Sequence, residues 1–121
     1  MVSKYGYITL AELELYASED YSAIDAVELA DAKVEAKITG AEETINGYVD
    51  ADAFTGTIPD AIISATKIIS VRLIYRWMRE QGMELSKEDL LEAAKPLLDA
   101  DDIIPLLSEY KSKETTTVWW V

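Results

Sequence analysis

The chain has 121 residues and a formal net charge of -12, from 23 Asp and Glu against 11 Lys and Arg, and it contains neither cysteine nor histidine. That length suits one domain around one core, while the missing residue types exclude disulfides, thiol nucleophiles, imidazole bases and the commonest transition-metal ligands. The surplus of acid also argues against gripping nucleic acid by phosphate neutralisation, which needs clustered cations on the contacting face.

The opening MVSKYGYITL lacks the basic start and apolar run of a secretory signal. No segment reaches the roughly 18 uncharged apolar residues of a membrane span. A soluble protein made in a cytoplasm is therefore expected, with no membrane partner. In TLAELELYAS, Thr9 is placed to cap a short helix, Glu12 stands three residues later as in a capping box, and Leu10, Leu13 and Tyr16 share a face. EDYS then breaks the pattern, and Ser22 with Asp25 repeats the cap-plus-acid arrangement.

From there Ile24, Val27, Val34, Ile38, Ala41, Ile45 and Tyr48 recur at steps of three and four, interrupted at Asp31. This predicts a second helix of roughly 27 residues, about 40 Å long. Gly40 lies inside it and is the expected kink or break. Glu28, Glu35, Glu42 and Glu43, with Lys33 and Lys37, make its solvated side.

GYVDADAFTGTIPD reads as a connection. Asp50 and Asp52 resemble the start of a calcium loop, but Phe54 and Thr55 stand where a ligand and the turn glycine belong, so no metal site is expected. Pro59 opens the next helix from within its first turn, where its missing N–H costs nothing. In IPDAIISATKIISVRLIYRWM, Ile62, Ile63, Thr66, Ile69, Leu73 and Trp77 form one stripe, and Ala61, Ala65, Ile68 and Ile74 widen it into a belt. This is the predicted centre of the fold, with Ile62, Ile69, Leu73 and Trp77 buried, packing overriding the low helix preference of its β-branched residues. Gly82 is the predicted C-terminal cap.

LSKEDLLEAAKP restarts a helix with Ser86 as cap and Asp89 as its partner, Leu85 is placed to staple onto Leu90, and Pro96 limits or kinks the helix. DADDIIPLLSEYKSK follows as an acidic turn and a short apolar element, and ETTTVWWV favours an extended ending. The expected architecture is all-α: a small helical bundle over residues 1–114 with a long second helix and a central apolar helix, then an extended tail over 115–121.

No constellation carries chemistry. Adjacent acids such as Glu42 and Glu43, or Asp101 and Asp102, point about 100° apart on a helix rather than at one substrate. No glycine-rich phosphate loop is present, and the serines lie without a base, so neither catalytic residues nor a cofactor are expected. Residues 58–82 hold four cations against two acids, and Arg72, Arg76 and Arg79 fall on one stripe at spacings of four and three. One reading has them border the core and pair with the acid-rich long helix. The sharper one turns part of the stripe toward an acidic patch of another subunit. The tail offers a similar choice: Val118, Trp119, Trp120 and Val121 can fold back on the core, or pair with another chain, the reading favoured here.

The order of these segments resembles the small head-tail connector, or adaptor, proteins of long-tailed bacteriophages. The resemblance spans about residues 5–112 and rests on YITLAELELY, on a long helix ending AEETINGYVD, on IPDAIISATKIISVRLIYRWM, and on IIPLLSEYKS. Members begin with a short helix of TLeeLk.yL type and enter a central apolar helix through Ile-Pro or a similar pair. They often finish with an LL.PYR-like element, here Leu106 to Lys111, with Glu109 for the usual proline and Lys111 for arginine. The second helix is also longer than usual. The resemblance implies a virion protein, not an enzyme, that assembles in the host cytoplasm into a ring, typically dodecameric, in the neck beneath the portal protein. Such a ring extends the DNA channel and carries the next head-completion or tail protein.

On that reading Arg72, Arg76, Arg79, Tyr110, Lys111, Val118, Trp119 and Trp120 are candidate subunit or portal contacts. Glu28, Glu35 and Glu42 would line a channel through which genomic DNA slides without specific binding, repelled by like charge. The alternative is a helical protein-interaction module unrelated to virions; a minor enzyme or carrier subunit is disfavoured by the missing residue types.

Overall fold

The computed structural model describes residues 6–20, 31–49 and 57–110. They form five helices and no strand: α1 (Leu10–Asp20), α2 (Asp31–Asn46), α3 (Asp60–Glu80), α4 (Lys87–Ala94) and α5 (Ile104–Leu107), the last running into a 3-10 turn at Ser108–Tyr110. The expected all-α architecture is what is observed. The expected start of the second helix, residues 22–30, and the extended tail, 115–121, lie outside the described residues.

Local chemistry sets the helix ends. The α1 start is a reciprocal capping box: the Glu12 N–H donates to Thr9 Oγ1 at 3.1 Å and the Thr9 N–H donates to Glu12 Oε1 at 3.0 Å. The helix runs on to Asp20, past the serine where the sequence pattern ended. Pro59 stands one position before α3 rather than inside its first turn, in extended conformation, with its carbonyl accepting from the N–H groups of Ile62 and Ile63. The α3 end is a Schellman turn, in which Gly82 takes φ +78°, its N–H donates to the Arg79 carbonyl and that of Met83 to the Met78 carbonyl. Ser86 caps α4 by accepting from the Asp89 N–H at 3.1 Å. Lys95, held extended before Pro96, ends that helix.

Helix α3 is the axis. One core cluster joins its C-terminal half (Val71, Ile74, Tyr75, Met78) to Leu13 of α1, Val34 and Ile38 of α2 and Ala93 of α4. The other joins its N-terminal half (Ile62, Ala65, Ile69) to Ala41, Ile45 and Val49 and to Ile103 and Leu107. Rising numbers on α2 meet falling numbers on α3, so the two helices pack antiparallel. Helices α1, α2, α4 and α5 all pack on α3, which accounts for a helix buried over most of its circumference.

Three further expectations change. Gly40 does not break α2, which runs through it. A Cβ there would lie 3.3 Å from Leu73 Cδ1, so the glycine lets α2 and α3 approach closely. Leu73 and Trp77 are half-buried rather than core, because the inward arc of the last turns of α3 is shifted to Val71, Arg72, Ile74, Tyr75 and Met78. Leu85 packs against the core, while Leu90, its expected staple partner, is 41% exposed.

Candidate functional site

The most charged interior feature is Arg72, in the middle of α3 and fully buried. Its Nε donates to Glu92 Oε2 at 2.6 Å, its Nη1 to the Pro96 carbonyl at 3.2 Å, and its Nη2 to Asp102 Oδ2. One guanidinium therefore fastens α4, the segment after it and the acidic turn before α5 to the central helix. The planar fork of donors suits this three-way attachment, which a lysine could not reproduce. Burial by itself would lower the pKa of this side chain. Hydrogen bonds to Asp102 and Glu92, together with their negative charges, outweigh it and hold the pKa above the ordinary arginine value.

Arg76, one turn on, adds to the attachment. Its Nε donates to the Ala93 carbonyl at 2.9 Å and its Nη2 to that of Lys95 at 2.7 Å. These acceptors are at the C-terminal end of α4, where carbonyls lack helical partners and a cation is favoured. Arg79, the third of the stripe, is exposed. The stripe thus divides: Arg72 is committed inside the chain and is removed from the candidate contacts with another subunit, Arg76 is half-buried against α4, and Arg79 alone stands fully outside. The acids that answer Arg72 come from α4 and the 99–103 turn, not from the long helix.

Glu42 is also relocated. It is fully buried, and its Oε2 accepts from the Tyr7 N–H at 3.0 Å, while the Tyr7 hydroxyl donates to Asn46 Oδ1 at 2.5 Å. The segment before α1 lies across this flank of α2, so Glu42 cannot line a channel. Glu35 is half-buried on α2. Glu28 lies outside the described residues, as do Lys111, Val118, Trp119 and Trp120; Tyr110 is half-buried at the end of the 3-10 turn.

On the opposite flank of α2, Lys33, Val34 and Lys37 line a shallow groove with Ile74 and Trp77 of α3. The Lys33 ammonium stands 4.8 Å from the centre of the Trp77 ring, a cation–π contact. Among the described residues no group of three Asp or Glu side chains could hold a metal ion, and no helix is long and apolar enough to cross a membrane.

Sequence reasoning missed the Arg72 partners and the groove. The available signal for the first was Arg72 itself, a charge between Val71 and Leu73 in an apolar run, which must be paired if the run is buried. Nothing marked Glu92 and Asp102 among the 23 acids as its partners. Comparison with known proteins found no matching family model, no matching curated protein and no matching solved structure.

Proposed function

We propose that this chain is a structural virion protein of a long-tailed bacteriophage, forming a ring between portal and tail that extends the DNA channel. The observation that carries the reading is the order of its elements. A short boxed helix is followed by a helix that stops at Asn46, just before Tyr48; a Pro-led central apolar helix comes next, and then the Ile104–Tyr110 element. This is the order on which the resemblance to head-tail connectors rests. The Arg72 attachment is compatible with it, since it ties α3, α4 and the following turn together within one subunit. Glu28 and Glu35 remain the candidates for facing DNA, and Arg76, Arg79, Tyr110, Lys111 and the Val118–Trp120 tail those for facing a neighbour or the portal.

Negative-stain electron microscopy of the protein mixed with the portal tests this. Twelvefold rings on the portal are expected; a persistent monomer that binds neither itself nor portal refutes it and leaves the protein-interaction module. Deleting residues 115–121 is expected to leave the thermal midpoint of the isolated chain unchanged while weakening ring formation. Loss of folding on that deletion would make the tail part of the core instead.

A further inference from the structure

Of the three large hydrophobic side chains exposed among the described residues, two are neighbours on α4: Leu90 at 41% and Leu91 at 60%. Exposed Ala94 lies one turn beyond both and exposed Lys87 one turn before both, so the four side chains make one patch with a cation inside it. Lys87 has no carboxylate within ion-pair distance among the described residues. At the edges, Glu84 and Glu88 are exposed, and Lys95 stands 3.7 Å from Glu92, which Arg72 already engages.

This mixture limits what can cover the patch. With two acids and two cations around two leucines, a charged surface of either sign sets like charge against like, which an uncharged occupant avoids. Lys87 narrows the choice further. An ammonium covered by aliphatic side chains loses hydration without return, whereas one covered by an indole ring gains a cation–π contact. The chain already makes that contact between Lys33 and Trp77, at 4.8 Å. The patch therefore suits an uncharged segment that carries tryptophan. Thr115 to Val121, TTTVWWV, is such a segment: it has no charged side chain and two tryptophans, while the other stretches outside the described residues carry charge and no tryptophan. Tyr110, after which the tail begins, packs on the cluster at the N-terminal half of α3, whereas Ala93 seats α4 on the cluster at the C-terminal half. Tail and patch thus belong to different ends of the central helix, an arrangement that lets one copy hand its tail to the next.

We infer that the Leu90–Leu91–Ala94 patch of one copy receives the Val118–Trp120 tail of the next, with an indole over Lys87 between the two leucines. Because patch and tail differ, the contact is heterologous: each copy offers one of each, and repetition gives a ring if the rotation closes and a filament if it does not. The inference deepens the connector reading by naming the surface that the tail engages. It rests on that reading for the choice of a neighbour's tail over the copy's own.

Sedimentation velocity of the full chain, from micromolar to about 1 mM, tests it. The wild type is expected to self-associate. A patch variant, Leu90→Ser with Leu91→Ser, and a tail variant, Trp119→Ser with Trp120→Ser, are each expected to weaken association at least about tenfold. Mixed in equal amounts, the two variants are expected to form one-to-one pairs and nothing larger, since the first keeps its tail and the second its patch. Lys87→Glu is expected to weaken association a few-fold and Lys87→Arg to preserve it, because arginine keeps the cation–π contact. An acid at that position also favours the start of α4, so Lys87→Glu keeps the fold, and thermal midpoints are the folding control for every variant. A wild type that stays monomeric at about 1 mM, a patch variant that associates like wild type, or a mixture that fails to pair would each overturn the contact. Portal-templated rings formed equally well by the patch variant sink this seat and leave the connector reading standing. Pairing in the mixture, without any ring of the wild type on the portal, does the opposite.

Discussion

Replacing Arg72 by alanine removes the guanidinium that hydrogen-bonds both α4 and the 99–103 turn to α3, leaving Arg76 to hold only the C-terminal end of α4. Three acceptors lose their donor: Glu92, Asp102 and the Pro96 carbonyl. Breaking a buried ion pair from one side costs about 3–5 kcal/mol, mostly because the remaining charge stays buried. Here the guanidinium is buried, but the side chains of Glu92 and Asp102 keep 18% and 36% of their exposure, so both carboxylates regain some water when the cation goes. The low end, about 3 kcal/mol, is therefore expected. For a domain of this size that corresponds to a fall in Tm of roughly 10–15 °C. Arg72→Lys is expected to recover less than half of the loss, since one ammonium cannot span acceptors on three segments. The pH dependence has a definite sign. A cation whose folded pKa is raised contributes its full stabilisation below its unfolded pKa and loses it as pH rises through the folded value, so deprotonation of Arg72 matters only above about pH 12. The assay is thermal and urea unfolding followed by circular dichroism, with a double-mutant cycle against Asp102→Asn expected to return a coupling of at least about 1 kcal/mol. A midpoint for Arg72→Ala within about 3 °C of wild type, or a coupling near zero, would refute the attachment.

Ile69→Asp places a charge among fully buried residues of the α2–α3–α5 cluster and is expected to cost several kcal/mol, leaving little folded protein by circular dichroism; an unchanged midpoint would contradict the central position of α3. Gly40→Ala gains about 1 kcal/mol of helix preference but sets a methyl 3.3 Å from Leu73 Cδ1, so a net change below about 1 kcal/mol is expected in urea unfolding, whereas Gly40→Leu forces α2 off α3 and should destabilise by more than about 2 kcal/mol. Glu42→Leu strips the Tyr7 N–H of its acceptor at a cost of about 1–3 kcal/mol, while Glu42→Gln keeps an acceptor and should cost clearly less; equal losses in the two variants would show that the Tyr7 contact is not the cause.

The parts of this fold legible in the sequence are those whose cause lies within about one helical turn. The Thr9–Glu12 box, the Ser86 cap, the Gly82 turn and the stop before Pro96 each depend on neighbours three or four residues away, and each is found where the pattern put it. The buried stripe Val34, Ile38, Ala41 and Ile45 was legible for the same reason, because helical periodicity is a local property. Tertiary structure decided what no local pattern encodes: which flank of a helix another segment covers, and which acid meets which base. Glu42 has the composition of a solvated position and became an interior acceptor only because residues 6–9 cross α2 there. Gly40 has the propensity of a break and became a close-packing point only because Leu73 stands opposite. Arg72 announced that it needed partners, yet Glu92 and Asp102, 20 and 30 residues further on, were selected by the packing of α4 and α5 against α3. Among many equivalent carboxylates, only the folded chain brings two of them within reach of that guanidinium.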